Sequence, residues 1–457
     1  MDIKTAKDEL KRLKSSEKSR TLEYIKLTFG RHSHIIDLSN HYLFKQSISV
    51  LCSMFKKQGG SYKQLTLKNC MLTGSALKKI LKSMENSSLR ILDIANNRLV
   101  LTPKLAFTIS TFFATKNKPV SMILQGTLFP SADAFTKLVS YQFPIQELNL
   151  YDCSLSDSVI TAISETLARG KQIQRLVLAF NSSILCTPEV IQSFATAVAA
   201  NECLEYLDLS GIENLDRPDH LEVLCKYMAY SRSLQTIAMA SIGFDDSAVS
   251  LLCGLLLAKM PVLTLNIQNN RLTATGISEL FHDLPESLTS LDVSYNEISD
   301  PSALIAISSR LKRTRSLSSI NISHTIQIDE LDDRVIEKFC KSITDNDSLT
   351  ELLCEGVKIG ENPDGFCSLV NHAISVRILS LTYNISVVNC NPHARSTILG
   401  NLSLSDTPEQ CFSTIGSRSP SLRSHKLTDK QKTSRSSKNS ISTSKELFPK
   451  QPDDFNK

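Results

Sequence analysis

Histidines, cysteines and paired carboxylates are the side chains here that could carry chemistry, so their spacing comes first. His32, His34 and His41 sit close together near the N-terminus. A metal site would need them to converge with a carboxylate or thiolate. His41 instead stands where a repeated motif places asparagine, and the other two read as solvated side chains. Among twelve cysteines no C-x-x-C pair occurs. Cys70 and Cys153 fall at the same asparagine position, while Cys52, Cys225, Cys253, Cys340 and Cys367 lie in apolar helical patterns. All read as reduced thiols that fill a core. Asp245/Asp246 and Asp332/Asp333 stand where helices begin, as capping carboxylates do. The chain has no Gly-rich loop ending in Lys-Ser/Thr, no HExxH and no GxSxG elbow. No enzyme, cofactor or metal site is implied.

The elements that position these residues repeat. Ser88–Leu99 reads SLRILDIANNRL, with Leu89, Leu92 and Ile94 leading to Asn97 and Leu99 closing the motif. Related copies are IQELNLYDCSL (Ile145–Leu155), VLTLNIQNNRL (Val262–Leu272) and LTSLDVSYNEI (Leu288–Ile298). Taking the second leucine as the mark, the register falls at Ile36, Leu65, Leu92, Met122, Leu148, Leu176, Leu207, Ile237, Leu265, Leu291, Ile320, Leu352 and Leu379. The intervals lie between 26 and 32 residues, a spread that chance does not produce over thirteen marks.

Around each mark the period is two, as in a short strand, so Leu148 and Leu150 point inward and Asn149 outward. The Asn or Cys that follows turns inward to satisfy backbone groups at the strand's end. The period then changes to about 3.6, the signature of a helix. In Ser156–Gly170, Ser156 or Asp157 can cap, Val159, Ile160, Ile163 and Leu167 line one face, and Gly170 suits the stop. Thr102 and Pro103 open a second such helix, with Leu105, Ile109 and Phe112 inward. One unit cannot bury its own apolar face, so neighbours must stack.

This pattern resembles the ribonuclease-inhibitor type of leucine-rich repeat over about Ile36–Val388. The resemblance implies an α/β solenoid, a horseshoe of about thirteen repeats with parallel strands on the concave face and helices on the convex face. An array followed by a basic, Ser-rich tail is also similar to the CARMIL family of cytoskeletal linkers. That likeness implies a role in actin-cytoskeleton or membrane-associated regulation. The nearest stretch to that family's capping-protein motif is Leu422–Lys432, where His425 and Thr428 are one residue too far apart and no Arg-Pro follows. Ran GTPase-activating proteins share the repeat class, so a regulator of a small GTPase is an alternative, as is an inhibitor that wraps an enzyme.

Charge and composition divide the chain into residues 1–31, 32–391, 392–411 and 412–457. Residues 1–31 hold nine Lys/Arg against five acids and form a lead-in, with a helix expected over Ala6–Lys14 and a strand-like stretch at Leu22–Phe29. Residues 412–457 hold ten against four, with much Ser and few large apolar side chains, and are expected to be disordered. Residues 392–411 would form a cap or transition. The remainder carries a net −5, which argues against nucleic acid as the body's partner. No apolar leader is present, and Val249–Leu263 is too short to span a bilayer. The N-x-S/T triplets at Asn181 and Asn384 coincide with the inward asparagine position, against glycosylation. A cytoplasmic protein is expected, peripheral at the membrane or cytoskeleton, with Ser419 and Ser421 as phosphorylation sites that would release a membrane-attracted tail.

The register names an outward surface. One position past the mark stand Asp37, Thr66, Asp93, Asn149, Val177, Asp208, Ala238 and Asp292 among others. Neighbouring columns add Glu147, Tyr151, Asp152, Arg175, Phe180, Tyr206, Tyr295, Glu351, Glu355 and Tyr383. Carboxylates outnumber bases by about four to one, eight against Lys68 and Arg175, with aromatics between them. These residues are expected to capture a basic protein partner in the concave groove.

Overall fold

The computed structural model describes residues 3–30, 34–58, 60–116, 118–140, 145–170, 172–325, 332–355 and 378–380. His32, Cys367, Tyr383, Asn384, Ser419 and Ser421 lie outside the described residues, as do the expected cap at 392–411 and the tail at 412–457. Among the described residues, thirteen strands form a single parallel sheet in chain order. They are β1 (Ile35–Asp37), β2 (Gln64–Thr66), β3 (Ile91–Asp93), β4 (Val120–Ile123), β5 (Ile145–Asn149), β6 (Arg175–Val177) and β7 (Tyr206–Asp208). The rest are β8 (Thr236–Ala238), β9 (Thr264–Asn266), β10 (Ser290–Asp292), β11 (Ser319–Asn321), β12 (Glu351–Leu353) and β13 (Ile378–Ser380).

Strand pairing places Ile36 opposite Leu65, Leu65 opposite Leu92, and so on through Leu352 and Leu379. All thirteen marks therefore form one row across the sheet. Each strand spans only a few residues because each contributes one inward side chain before the chain must turn toward a helix.

The helices are α1 (Ile3–Gly30), α2 (Lys45–Gln58), α3 (Gly74–Ser83), α4 (Pro103–Ala114), α5 (Ala132–Leu138) and α6 (Asp157–Arg169). They continue with α7 (Pro188–Ala200), α8 (Pro218–Met228), α9 (Ser247–Leu251), α10 (Ala274–Asp283), α11 (Ser302–Arg313) and α12 (Asp333–Thr344). One continuous apolar core lies between the strand row and the helices. In α6, Val159, Ile160, Ile163 and Leu167 are buried as the 3.6 period requires, and in α4 the Thr102 hydroxyl accepts from Leu105 N. Each such buried Ile or Leu contributes roughly 1.5–3 kcal/mol relative to exposure. Asp332 Oδ1 accepts from Arg334 N at 2.9 Å, and Asp245 Oδ1 from Ser247 N at 3.0 Å, so both carboxylates hold helix starts.

The lead-in differs from expectation. Leu22–Phe29 is not strand-like but the second half of α1, one helix through to Gly30. Thr21, Ile25 and Phe29 recur at four-residue intervals and are all buried, so the helical period decides the structure there. Phe29 meets Phe55 and Tyr62 edge-on at 5.1 and 5.6 Å, closing the open end of the core beside β1.

Candidate protein-binding face

The strand row places two functionally different sets of side chains beside each other. The first turns inward five residues past the mark. Asn97 Oδ1 accepts from Cys70 N and Leu72 N, both at 2.9 Å, and its Nδ2 donates to Leu67 O at 2.7 Å and Ile94 O at 2.8 Å. Asn181 does the same between Cys153 N, Leu155 N, Leu150 O and Leu178 O, and Asn270 holds the Ile242–Phe244 amides. Where cysteine takes the position, the thiol donates alone: Cys70 to Leu38 O at 3.0 Å and Cys153 to Leu124 O at 3.2 Å. Burial pushes these thiols up to about 11 and about 12. Asn181 is 1% exposed, with its polar atoms engaged. At the first repeat His41 has its Nδ1 2.8 Å from Ser39 O and its ring stacked on Tyr24 at 3.9 Å, while His34 Nδ1 lies 2.8 Å from Ser61 O.

The outward column one past the mark is more structural than its sequence suggests. Asp37, Asp93, Asn149, Asp208, Asn266, Asp292 and Asn321 each accept, through one side-chain oxygen, the backbone N–H two residues on, at 2.9–3.0 Å. They close the turn that ends each strand. Thr66, Val177, Ala238 and Asp292 are buried rather than open, because strands stack side chains about 4.8 Å apart. Burial raises the carboxyls of Asp93, Asp208 and Asp292 above the usual carboxylate range. Asp93 and Asp208 therefore hold turns as well as lining the face, whereas Asp292, expected on the face, is buried against Ser294 and Asn321.

The outward set falls into two clusters. On β5–β7, Glu147, Arg175 and Tyr206 stand directly opposite one another. Arg175 Nε lies 3.9 Å from Glu147 Oε1, and its guanidinium sits 3.8 Å over the Tyr206 ring. Burial, then the Asp208 charge, pushes the Tyr206 hydroxyl up to about 12. Beside them the Tyr151 and Phe180 rings meet at 5.0 Å. Burial first, then Asp152 and Asp208, raises the Tyr151 hydroxyl, which marks a negative local field. On β10–β12, Tyr295 stacks on His324 at 4.7 Å, Asp292 Oδ2 accepts from Asn321 Nδ2 at 3.0 Å, and Glu351 Oε2 accepts from Ser319 Oγ at 2.7 Å. Ser323 Oγ accepts from Glu355 N at 3.1 Å, which ties the Glu355 backbone to the same cluster.

Sequence reasoning placed Asp152, Phe180 and Tyr295 on the outward face but missed that they belong to a left-handed column four past the mark. Asn40, Asn69, Asn96, Gly126, Asp152, Phe180, Gly211, Ser241, Asn269, Tyr295 and His324 all have φ between 50° and 69°. Each N–H donates to the carbonyl three past the next mark, as Phe180 N does to Ser210 O at 2.7 Å. Six of the eleven are Asn or Gly, the signal that could have revealed the column, since these residues tolerate left-handed backbone. Phe180 and Tyr295 do not share that tolerance, yet they are 45% and 44% exposed. Gly211 accommodates the first of them: a Cβ there would come within 2.7 Å of the Phe180 ring.

A family model described as "Leucine Rich repeat" matches residues 285–304. The chain is 27% identical over 246 residues to the ribonuclease inhibitor of Mus musculus, covering 51% of each. It is 22% identical over 316 residues to NACHT, LRR and PYD domains-containing protein 13 of Homo sapiens, covering 57% of this chain and 30% of that protein. It thus spans about half and about a third of the lengths of these relatives. Among solved structures it is similar to a chain of the Rad7 and Elc1 complex from yeast (TM-score 0.45, 14% identity, 83% of this chain and 92% of that one). A second is an internalin from Listeria monocytogenes (TM-score 0.41, 14% identity, 75% and 90%). No helix of the described residues is long and apolar enough to cross a membrane.

Proposed function

We propose that this chain, a leucine-rich-repeat protein of the ribonuclease-inhibitor type, is a protein-interaction scaffold whose strand face captures a basic protein partner. The observation that carries the reading is Phe180. A large apolar ring is held half-exposed on left-handed backbone, where Asn or Gly serves six of the eleven repeats. Such a conformation costs of order 1–3 kcal/mol and persists where the ring has a use. Tyr151 extends the apolar surface, and Asp152 and Asp208 place negative charge at its hydroxyl. Rigid aromatics beside desolvated charges are what interface hot spots use, with the acids steering association.

Tyr295 and His324 repeat the arrangement four strands further along, so the partner would be held at two stations. The test is affinity capture from the source cells with the full chain and with Tyr151→Ala/Phe180→Asn. The scaffold reading expects partner recovery to fall at least about ten-fold with unchanged thermal unfolding. Equal recovery would remove the strand face as the binding surface.

A further inference from the structure

The net charge of the body conceals a division along the solenoid. Residues 38–132 hold thirteen Lys/Arg and two acids, a net of +11, whereas residues 133–411 hold nineteen against thirty-four, a net of −15. Within the basic part only Lys68 and Arg98 fall in the turns that follow the strands. The others lie on the helices and on the loops between a helix and the next strand.

Three of those loops lie side by side. Helices α2, α3 and α4 end at Lys56 and Lys57, at Lys82 and just before Lys116, and the chain then reaches β2, β3 and β4 through Lys63, Arg90 and Lys118. Backbone bonds join the loops edge to edge: Ser88 N to Gly60 O at 2.9 Å, Arg90 N to Lys63 O at 2.7 Å and Ser121 N to Arg90 O at 2.8 Å. Lys56, Lys57, Lys63, Lys82, Arg90 and Lys118 are exposed. Lys116 is half-buried, donating to the Glu85 carbonyl and lying 4.6 Å from the centre of the Phe112 ring.

Among the described residues none of these bases forms an ion pair with a carboxylate, and Glu85 is the one acid on the three loops. Further along the array two bases at this edge are paired, Arg310 of α11 with Glu286 at 3.2 Å and Arg315 with Asp347 at 3.5 Å. Lysine at a helix C-terminus complements the helix dipole, but one base per helix suffices for that. Helix α6 pairs its last-turn Arg169 with Glu165 at 3.3 Å, and α7 has no base in its last turn. An unbalanced cluster of like charge works against the compact state, so its presence calls for a polyanionic counterpart.

We infer that the edge formed by the first three helix-to-strand loops is a docking surface for an anionic lipid bilayer. The composition favours a bilayer over a nucleic acid. Ten lysines accompany one arginine outside the strand-end turns. Lysine acts as a hydrated point charge that attracts a charged plane, whereas arginine's planar fork suits phosphate and base recognition. No exposed aromatic stands on the three loops as a base-stacking platform. The surface is separate from the acidic strand face, so both can be occupied at once.

The test is co-sedimentation of the full chain with phosphatidylcholine vesicles, with and without about 30% phosphatidylserine. Binding is expected only with phosphatidylserine and should fade between about 50 and about 500 mM salt. Lys56→Glu/Lys82→Glu/Lys118→Glu should weaken it at least about ten-fold, whereas Lys430→Glu/Lys432→Glu/Lys438→Glu, an equal charge change in the tail, should leave most of it. If the first variant loses its thermal transition, Lys56→Gln/Lys82→Gln/Lys118→Gln replaces it, with a smaller loss expected. Unchanged binding by the folded loop variant, loss confined to the tail variant, or tighter binding to duplex RNA than to vesicles at equal salt would each overturn the inference.

Discussion

Phe180 and Asn181 are adjacent in sequence and opposite in purpose. Asn181 is buried, bonded to two amides and two carbonyls, and indispensable to the coil. Phe180 is exposed, strained and bonded to the coil only through its backbone. Tyr295 and Asn296 repeat the contrast, with Asn296 joining Leu272 N to Val293 O. Adjacent positions of a regular repeat thus carry a side chain that completes the turn and one that stands on the face, the latter on left-handed backbone that Asn or Gly supplies in six of the eleven repeats. Phe180 and Tyr295 place aromatics there instead.

The largest effect should come from breaking the inward member. Asn181→Ala leaves four buried backbone groups without their partner, at about 1–3 kcal/mol for each group that cannot rearrange. We expect at least about 3 kcal/mol lost in chemical denaturation; a loss within about 1 kcal/mol would mean that the ladder is not what holds adjacent repeats. The outward member should behave oppositely. Phe180→Asn relieves left-handed strain and forfeits the contact with Tyr151, so stability should stay within about 1 kcal/mol of the parent or rise, read in the same denaturation experiment. A large loss would make Phe180 a core residue and merge the two classes.

Asp208 supplies the smallest and most diagnostic effect. Its folded carboxyl is raised by burial, so it binds its proton more tightly folded than unfolded. The stability it contributes is full below the unfolded pKa and is lost as pH rises through the folded one. Asn149, Asn266 and Asn321 close the equivalent turn with an amide oxygen. Asp208→Asn should therefore raise the melting temperature at pH 7 by roughly 1–3 °C, the gain vanishing as pH falls below the ordinary aspartate range. A melting temperature that drops at pH 7 would show that the charge itself supports the fold.

The thirteen-mark register was legible because the inward positions admit few residue types, and every mark occupies its place in the strand row. The helix starts at Thr102 and Asp332 are legible because an N-cap calls for a short side chain that accepts a backbone N–H. Leu22–Phe29 reads as strand-like yet folds as helix, because a short apolar run fits either period until its partners are known. The face was only partly legible. Spacing assigned Tyr151, Arg175 and Tyr206 to one surface, but it could not tell that Asp93 and Asp208 also close turns. Nor did it reveal the left-handed column, whose Asn and Gly residues are obscured where Phe180, Tyr295 and His324 replace them. Averaging charge over the body hid the basic end altogether.

The asparagine bridges also give the array a direction in time. Asn97 completes the turn that begins at Cys70, and Asn181 the one at Cys153, so these units are finished by a residue made one period later. A chain leaving the ribosome at about 5–20 residues per second therefore carries each of these turns unfinished for roughly 1.5–6 s. Its newest turn is the vulnerable one, and a stall in synthesis would leave a single repeat open while those behind it are already closed.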